Sequence, residues 1–153
     1  MDNTLKYLDE AVQNELNVSC LYKIFYEYYP EDYIFWWQLS IEEENHASLL
    51  RSGKEFHKVV NIPFDISESD MKVLSELNKG FPSILEEFKK NPSRKYAFDI
   101  ALHLENSVNE IHYQNFMINN EKDDQISRIF KKLNDDDIDH AIRIKKYMEE
   151  INI

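Results

Sequence analysis

The chain has 153 residues, a length that suits one domain with its own hydrophobic core. Hydrophobic residues make up 42% of the sequence, so the composition is not that of a disordered chain. Only two glycines and four prolines occur, which favours long helices over sheets. The net charge of −11 offers no basic face for phosphate groups and excludes nucleic acid as an expected partner.

Cysteine content and hydropathy indicate the cellular setting. A single cysteine, Cys20, excludes a disulfide within the chain. The first residues contain no apolar signal core, and no stretch approaches the ~18 continuous apolar residues that span a bilayer. We therefore expect a cytoplasmic protein that does not insert into a membrane.

Four stretches of the chain carry the hydrophobic periodicity of amphipathic helices. The first is predicted at residues 4–29, where Pro30 interrupts the pattern. The second is predicted at residues 31–53 and stops at a glycine. The third is predicted at residues 93–118. A fourth follows a polar turn and continues to the end of the chain.

The connections between these helices differ in length. Short connections join the first helix to the second and the third to the fourth, so each pair is expected to lie antiparallel. About 40 residues separate Gly53 from Ser93, and they include a further helical stretch at residues 71–90. Such a segment can cross the full length of a bundle. The sequence therefore predicts one all-α domain over residues 1–153, a four-helix bundle with a long crossover between helices two and three.

Each predicted helix places a carboxylate in the middle of its buried stripe. On the fourth helix, Asp137 and His140 stand one turn apart and interrupt a series of apolar and aromatic residues. On the second helix, Glu43 and His46 do the same. The other two helices each add one carboxylate at a corresponding depth. The resulting candidate metal ligands are Glu15, Glu43, His46, Glu105, Asp137 and His140.

The charge of these buried stripes points to metal ions. Four ionised carboxylates in one core would repel each other, and the desolvation of each would cost several kcal/mol. The stripes contain no lysine or arginine to offset this, whereas two divalent ions would supply four positive charges. Carboxylates and imidazoles without thiolates suit iron or manganese, with zinc as a substitute. A metal-free bundle with a buried polar network is the alternative interpretation.

These residues resemble the ligand set of the ferritin-like di-iron carboxylate superfamily, especially rubrerythrin and bacterioferritin. As an architecture, the resemblance covers nearly the whole chain. It implies that Glu15 and His46 are terminal ligands of one iron. It implies the same for Glu105 and His140 at the second iron, with the remaining two carboxylates bridging both ions.

Departures from the family pattern narrow what the resemblance implies. Of the two bridging carboxylates, Glu43 fits, but Asp137 stands where the family has glutamate and is one methylene shorter. Val108 occupies the position of an additional rubrerythrin glutamate. Glu44 occupies the position of the haem-binding methionine of bacterioferritins, so no haem is expected. The chain ends thirteen residues after His140, which disfavours a 24-subunit cage. No rubredoxin-like cysteine pair is present, so a separate electron-donor protein is expected.

Other polar and aromatic residues have two interpretations each. Tyr22 matches a tyrosine near the bacterioferritin site and is the candidate catalytic residue, with core packing as the alternative. Trp36 is interpreted as core, although it could carry electrons. His112 is interpreted as a satisfied core histidine or a group that supports a ligand. His57 and His103 are predicted to lie on the surface.

The resemblance implies a small non-haem di-iron oxidoreductase that reacts with peroxide or dioxygen as its iron cycles between ferrous and ferric states. A metal-binding or sensing protein without turnover and a metal-free structural bundle remain open, because a fold does not fix a function. A homodimer is expected through helices one and two, whose stretch at residues 22–37 is rich in aromatic residues.

Overall fold

The computed structural model describes residues 3–61, 64–119 and 124–153. A turn of 3-10 helix, Pro30–Asp32, joins the first two helices, and no strand occurs in these ranges, so the all-α prediction is confirmed. Within the same ranges, no helix is long and apolar enough to cross a membrane. The helices are α1 (Asn3–Tyr28), α2 (Tyr33–Val60), α3 (Glu68–Lys90), α4 (Arg94–Ile118) and α5 (Gln125–Glu150).

The predicted end of the second helix is wrong. α2 continues past Gly53 and ends at Asn61, whose left-handed backbone (φ 49°, ψ 49°) lets its N–H donate to the carbonyl of His57. The extension buries His57, which was predicted to lie on the surface. Gly53 is instead a point of close helix approach, because a Cβ there would stand 3.0 Å from Cδ1 of Ile129 on α5.

Contacts along the helices fix their directions. α1 and α2 are antiparallel, since Ser19 Oγ donates to the carbonyl oxygen of Ser40 and Asp9, near the start of α1, pairs with Lys54 late in α2. α4 and α5 are antiparallel as well, as the short connections predicted. α3 runs parallel to α1 and returns the chain to the end of the molecule at which α4 begins.

The hydrophobic core consists of two apolar clusters with a layer of buried polar residues between them. The first cluster lies at the end where α1 passes into α2, and its largest side chains are Tyr22, Phe25, Trp36, Phe88 and Phe98. The second lies at the other end and includes Tyr7, Leu8, Leu50, Phe130 and Leu133. Each large apolar side chain fully buried in them contributes about 1.5–3 kcal/mol. The two clusters stabilise the fold from both sides of the polar layer.

A buried carboxylate ties the first cluster to the helix ends. Asp32 is 1% exposed and accepts hydrogen bonds from Arg94 Nε at 2.7 Å and from the hydroxyl of Tyr147 at 2.9 Å. This network joins the turn after α1, the start of α4 and the end of α5. Removing the guanidinium would leave a buried anion without its charged partner.

We therefore expect Arg94→Met to lower the free energy of unfolding by about 2 kcal/mol, a value reduced for the partial exposure of the arginine. Lys95→Met is the matched control, since the ion pair of Lys95 with Asp99 is exposed and its loss should change stability by less than about 0.5 kcal/mol. Urea unfolding of both variants measures the difference. Equal effects would show that the buried network does not stabilise the fold.

Candidate metal centre

All six predicted ligands lie in the polar layer between the two apolar clusters. Each is at most 3% exposed. The helical periodicity that placed them on buried stripes also places them at one depth, because each stands near the middle of its helix. α1 supplies Glu15, α2 Glu43 and His46, α4 Glu105, and α5 Asp137 and His140.

Two groups of ligand atoms form around Glu43. One group joins Glu43 with Glu15 and His46, and the other joins Glu43 with Glu105 and His140. Within each group, one donor atom from every residue lies within 4.8 Å of the other two. Each group could therefore hold a metal ion, with Glu43 shared between the two.

Unsatisfied hydrogen-bonding atoms mark the same place. Glu15 Oε1, Glu43 Oε1 and His140 Nδ1 are buried without a well-aligned hydrogen bond in the described part of the chain, although the last two atoms stand 2.8 Å apart. A buried polar atom left in this way costs about 1–3 kcal/mol, and native proteins keep few of them. The two carboxylate oxygens, and Nδ1 of a neutral imidazole, carry lone pairs that a cation accepts, so metal ions in the two groups would satisfy them. The donor set thus fits a metal.

The two ligand histidines are oriented by carboxylates on their outer sides. His46 turns Nδ1 toward Glu43 Oε2 at 3.2 Å, and its Nε2 lies 3.0 Å from Asp136 Oδ2. His140 turns Nδ1 toward Glu43 Oε1 at 2.8 Å, and its Nε2 lies 2.8 Å from Glu42 Oε2. An acceptor on Nε2 holds the proton there and leaves the Nδ1 lone pair for a metal.

Sequence analysis missed these outer carboxylates, although the pattern contains them. Glu42 immediately precedes Glu43, and Asp136 immediately precedes Asp137, so each acidic-x-x-His motif begins one residue earlier with a second acidic residue. On a helix, that first residue turns away from the centre and faces the histidine of the opposite helix. The second acidic residue at the start of each motif was the sequence signal that could have revealed the outer carboxylates.

A polar pocket of about 340 Å³ opens over the outer sides of both histidines. Arg143 Nη1 donates to Glu42 Oε2 at 2.6 Å, and Lys132 Nζ donates to Asp136 Oδ2 at 2.6 Å. Burial works to raise the pKa of Glu42, but hydrogen bonds from His140 and Arg143 outweigh it and lower the pKa to about 2. The hydrogen bond from His46 likewise lowers the pKa of Asp136. Both outer carboxylates therefore stay ionised.

Protons occupy the centre when no metal does. Burial lowers the pKa of an imidazole, yet the combined hydrogen bonds to carboxylates outweigh burial here. They raise the pKa of His140 to about 12 and raise that of His46 still further. Burial is the main cause that raises the pKa of Glu15 to about 7, and it also raises that of Glu105. Imidazolium groups thus offset part of the carboxylate charge in the metal-free protein.

Tyr22 contacts the centre through its hydroxyl group, which donates a hydrogen bond to Glu105 Oε1. Burial, and after it the charge of Glu105, raises the pKa of Tyr22 well above its ordinary value, so the phenol keeps its proton. The ring belongs to the first apolar cluster and lies 5.4 Å from that of Trp36. Tyr22 therefore packs in the core and contacts a candidate ligand at the same time.

Asp137 lies in the layer but in neither ligand group. Its Oδ2 is 2.6 Å from Nδ1 of His112, a histidine that is 1% exposed. The other ring nitrogen of His112 is 3.7 Å from Glu15 Oε1. His112 is thus part of the centre, in contact with one of its carboxylates on each side. The bridging role that the resemblance implies for Asp137 stays a prediction.

The assembled side chains combine oxygen and nitrogen donors with an enclosed space. A cavity of about 10 Å³, room for roughly one water-sized sphere, lies among Glu15, Glu43, Glu105 and Asp137. His103 is exposed, as predicted, and takes no part. Such a site can bind cations and keep bulk water from them. In comparisons with known proteins, no protein-family model, no curated protein and no solved structure matches the chain.

Proposed function

We propose that the chain is a ferritin-like four-helix bundle whose crossover is α3, and that its polar layer holds two iron ions that react with peroxide or dioxygen. The observation that carries the proposal is the pair of buried ligand groups that share Glu43. A carboxylate has two oxygens, so Glu43 could serve one ion in each group. The proposed role is a peroxidase-like or ferroxidase-like oxidoreductase supplied with electrons by a separate protein.

The donor chemistry fits iron, and redox activity separates iron from zinc. The groups offer carboxylate oxygen and imidazole nitrogen and no thiolate, which suits iron or manganese. Two bound iron ions would each supply one electron, and peroxide takes up two electrons and two protons to form two waters. Zinc fits the same donors but has no redox chemistry, so reactivity toward an oxidant distinguishes it from iron.

The side chains around the ions have separate tasks. The outer carboxylates Glu42 and Asp136 orient the imidazoles, and the polar pocket over His46 and His140 gives small molecules and cations an approach. The apolar clusters above and below exclude water. Tyr22 holds a proton on its hydroxyl oxygen next to Glu105, where a reacting oxygen species would need one.

Anaerobic loading with ferrous iron tests the proposal. Wild-type protein is expected to bind two equivalents and then to consume peroxide or dioxygen, measured by iron analysis and by oxidant depletion. The double variant His46→Gln with His140→Gln should lose binding, while His103→Gln, which changes an exposed histidine of α4, should keep it. Failure of wild-type protein to bind two equivalents, or unchanged binding in the double variant, would refute it.

Replacement of Tyr22 tests its role without removing a ligand. We expect Tyr22→Phe to keep two bound irons and to slow oxidant consumption at least about tenfold, because the hydroxyl that donates to Glu105 is lost. Stopped-flow measurement of oxidant loss gives the rate. Phe25→Leu is the packing control, since Phe25 belongs to the same apolar cluster and makes no polar contact with the centre. Equal rates in Tyr22→Phe and wild type would remove Tyr22 from the reaction.

One observation favours a second function, a metal-binding or sensing protein without turnover. Asp137 is engaged by His112 and lies in neither ligand group, so the second bridge of the family pattern is not formed by the side chains as they stand. Two bound irons that leave both oxidants unconsumed would support this function. A protein that binds no metal would be a structural bundle.

A further inference from the structure

Three buried histidines of the polar layer share one arrangement. His46 and His140 each turn one ring nitrogen toward an inner carboxylate and the other toward an outer one. His112 also has a carboxylate at each ring nitrogen. Its Nε2 faces Glu15 and its Nδ1 faces Asp137. A carboxylate behind a histidine fixes its tautomer and increases its basicity toward a metal. The third histidine therefore resembles the two proposed ligands in having a carboxylate at each ring nitrogen, although it lies outside both ligand groups of the metal-free side chains.

The distance from His112 to Glu15 is that of two ligands on one ion. Nε2 and Oε1 are 3.7 Å apart, too far for a hydrogen bond. Two donors bonded to the same ion at about 2.1 Å stand about 3 to 4.2 Å apart as the angle between them opens from about 90° to about 180°. Oε1 of Glu15 is also one of the buried atoms without a hydrogen-bond partner. Glu15 turns its second oxygen, Oε2, toward His46 Nδ1 at 3.5 Å.

We propose that His112 is a third imidazole ligand of the centre, bound through Nε2 to the ion that Glu15 holds, and that Asp137 positions His112 through its Nδ1–H and does not bridge the two ions. This inference rests on the proposed two-ion site. It accounts for the shorter side chain at Asp137, because an aspartate reaches Nδ1 of His112 at 2.6 Å from within the layer. It also adds a functional residue on α4, one heptad after Glu105.

The proposal makes the two metal positions unequal. The first has two carboxylates and two imidazoles, from Glu15, Glu43, His46 and His112. The second has two carboxylates and one imidazole, and one of its carboxylates is Glu105, which accepts a hydrogen bond from Tyr22. More nitrogen donors favour later divalent metals of the first row. Cobalt or zinc should therefore fill the first position before the second.

Counting coordinated imidazoles tests the assignment directly. The probe is Co²⁺, whose unpaired electrons shift the exchangeable ring N–H proton of each bound histidine far from the ordinary proton spectrum. Each of these protons would be held by a carboxylate, on Asp136, Glu42 or Asp137, which slows its exchange with water. Fully loaded wild-type protein should show three such signals. Two signals in a protein that binds two equivalents of cobalt would overturn the proposal.

Variants separate a ligand from a group that only packs. His112→Gln should lose one shifted signal and weaken the tighter position by more than the about 10–100-fold typical of an outer partner. Asp137→Asn should weaken that position alone by about 10–100-fold, whereas a bridging Asp137 would weaken both. His103→Gln, on the same helix, should keep three signals and both affinities. Unaltered affinities in His112→Gln would refute this inference alone, while absence of two cobalt sites in wild type would refute the proposed function.

Discussion

Replacement of Glu43 with alanine is expected to weaken binding at both metal positions and to abolish it at the second, while replacement of Glu15 or Glu105 should weaken only one. Glu43 is the only residue common to the two ligand groups found in the described ranges. Without Glu43, the second position retains one carboxylate and one imidazole, too few donors to hold a divalent ion against water. The first position would keep Glu15, His46 and the proposed ligand His112, so its binding should weaken but need not vanish. Loss of an outer partner of a ligand costs about 10–100-fold in affinity, so loss of a shared ligand should exceed that at each position.

The residue after Glu43 supplies the control for this prediction. Glu44 pairs with Lys23 on the protein surface, and its side chain is 45% exposed. Glu44→Ala therefore removes the same charge one position away without touching the centre. Anaerobic titration with ferrous iron, followed by metal analysis after gel filtration, measures the stoichiometry. One equivalent retained with wild-type affinity by Glu43→Ala would show that the two positions do not share this carboxylate.

The candidate ligands could be predicted from the sequence because they interrupt the hydrophobic stripes of amphipathic helices. In an amphipathic helix, a carboxylate or histidine on the buried stripe costs free energy and so calls for a partner. Glu15 and Glu105 were found in this way, although each is the single candidate ligand that was predicted on its helix. The direction of the stripe and the depth of the residue follow from helical geometry, so their convergence could be predicted before the tertiary contacts were known.

The residues that were missed depend on contacts between helices, which periodicity does not contain. Glu42 and Asp136 lie beside the stripe, and their partners are histidines on the opposite helix. His112 was interpreted as a core histidine or a supporting group, and only the contact between helices shows that its partner is Asp137 on α5. Gly53 was taken as a helix end because glycine often stops helices, but here it lies within α2, where a Cβ would stand 3.0 Å from Cδ1 of Ile129.

Metal binding should strengthen steeply with pH, because the metal must displace protons that the centre holds tightly. The pKa of His140 is raised to about 12, and that of His46 is raised further, so both imidazoles are protonated near neutral pH. Each must lose its proton to bind a metal through Nδ1. Filling both positions then releases at least two protons, and the product of the two binding constants should rise by about a hundredfold per pH unit.

The metal-free protein should show the opposite trend. A raised pKa means that the folded state holds the proton more tightly than the unfolded chain does. For Glu15, that contribution to stability is complete below the ordinary pKa of 4.5 and is lost as pH rises through about 7. For His140, it is complete below 6.5 and is lost as pH rises through about 12. These groups therefore destabilise the metal-free fold progressively as the solution becomes more alkaline.

The two trends combine in one measurement, the difference in melting temperature between protein with excess Zn²⁺ and protein with a chelator. The difference should be small near about pH 5.5 and should grow toward about pH 8, since a ligand that binds only the folded state stabilises it in proportion to the logarithm of its affinity. Zinc avoids the complication of oxidation. His46→Gln with His140→Gln should show no difference at any pH, because the variant loses metal binding. A difference independent of pH would mean that the bound metal does not replace these protons, and that the imidazoles are not its ligands.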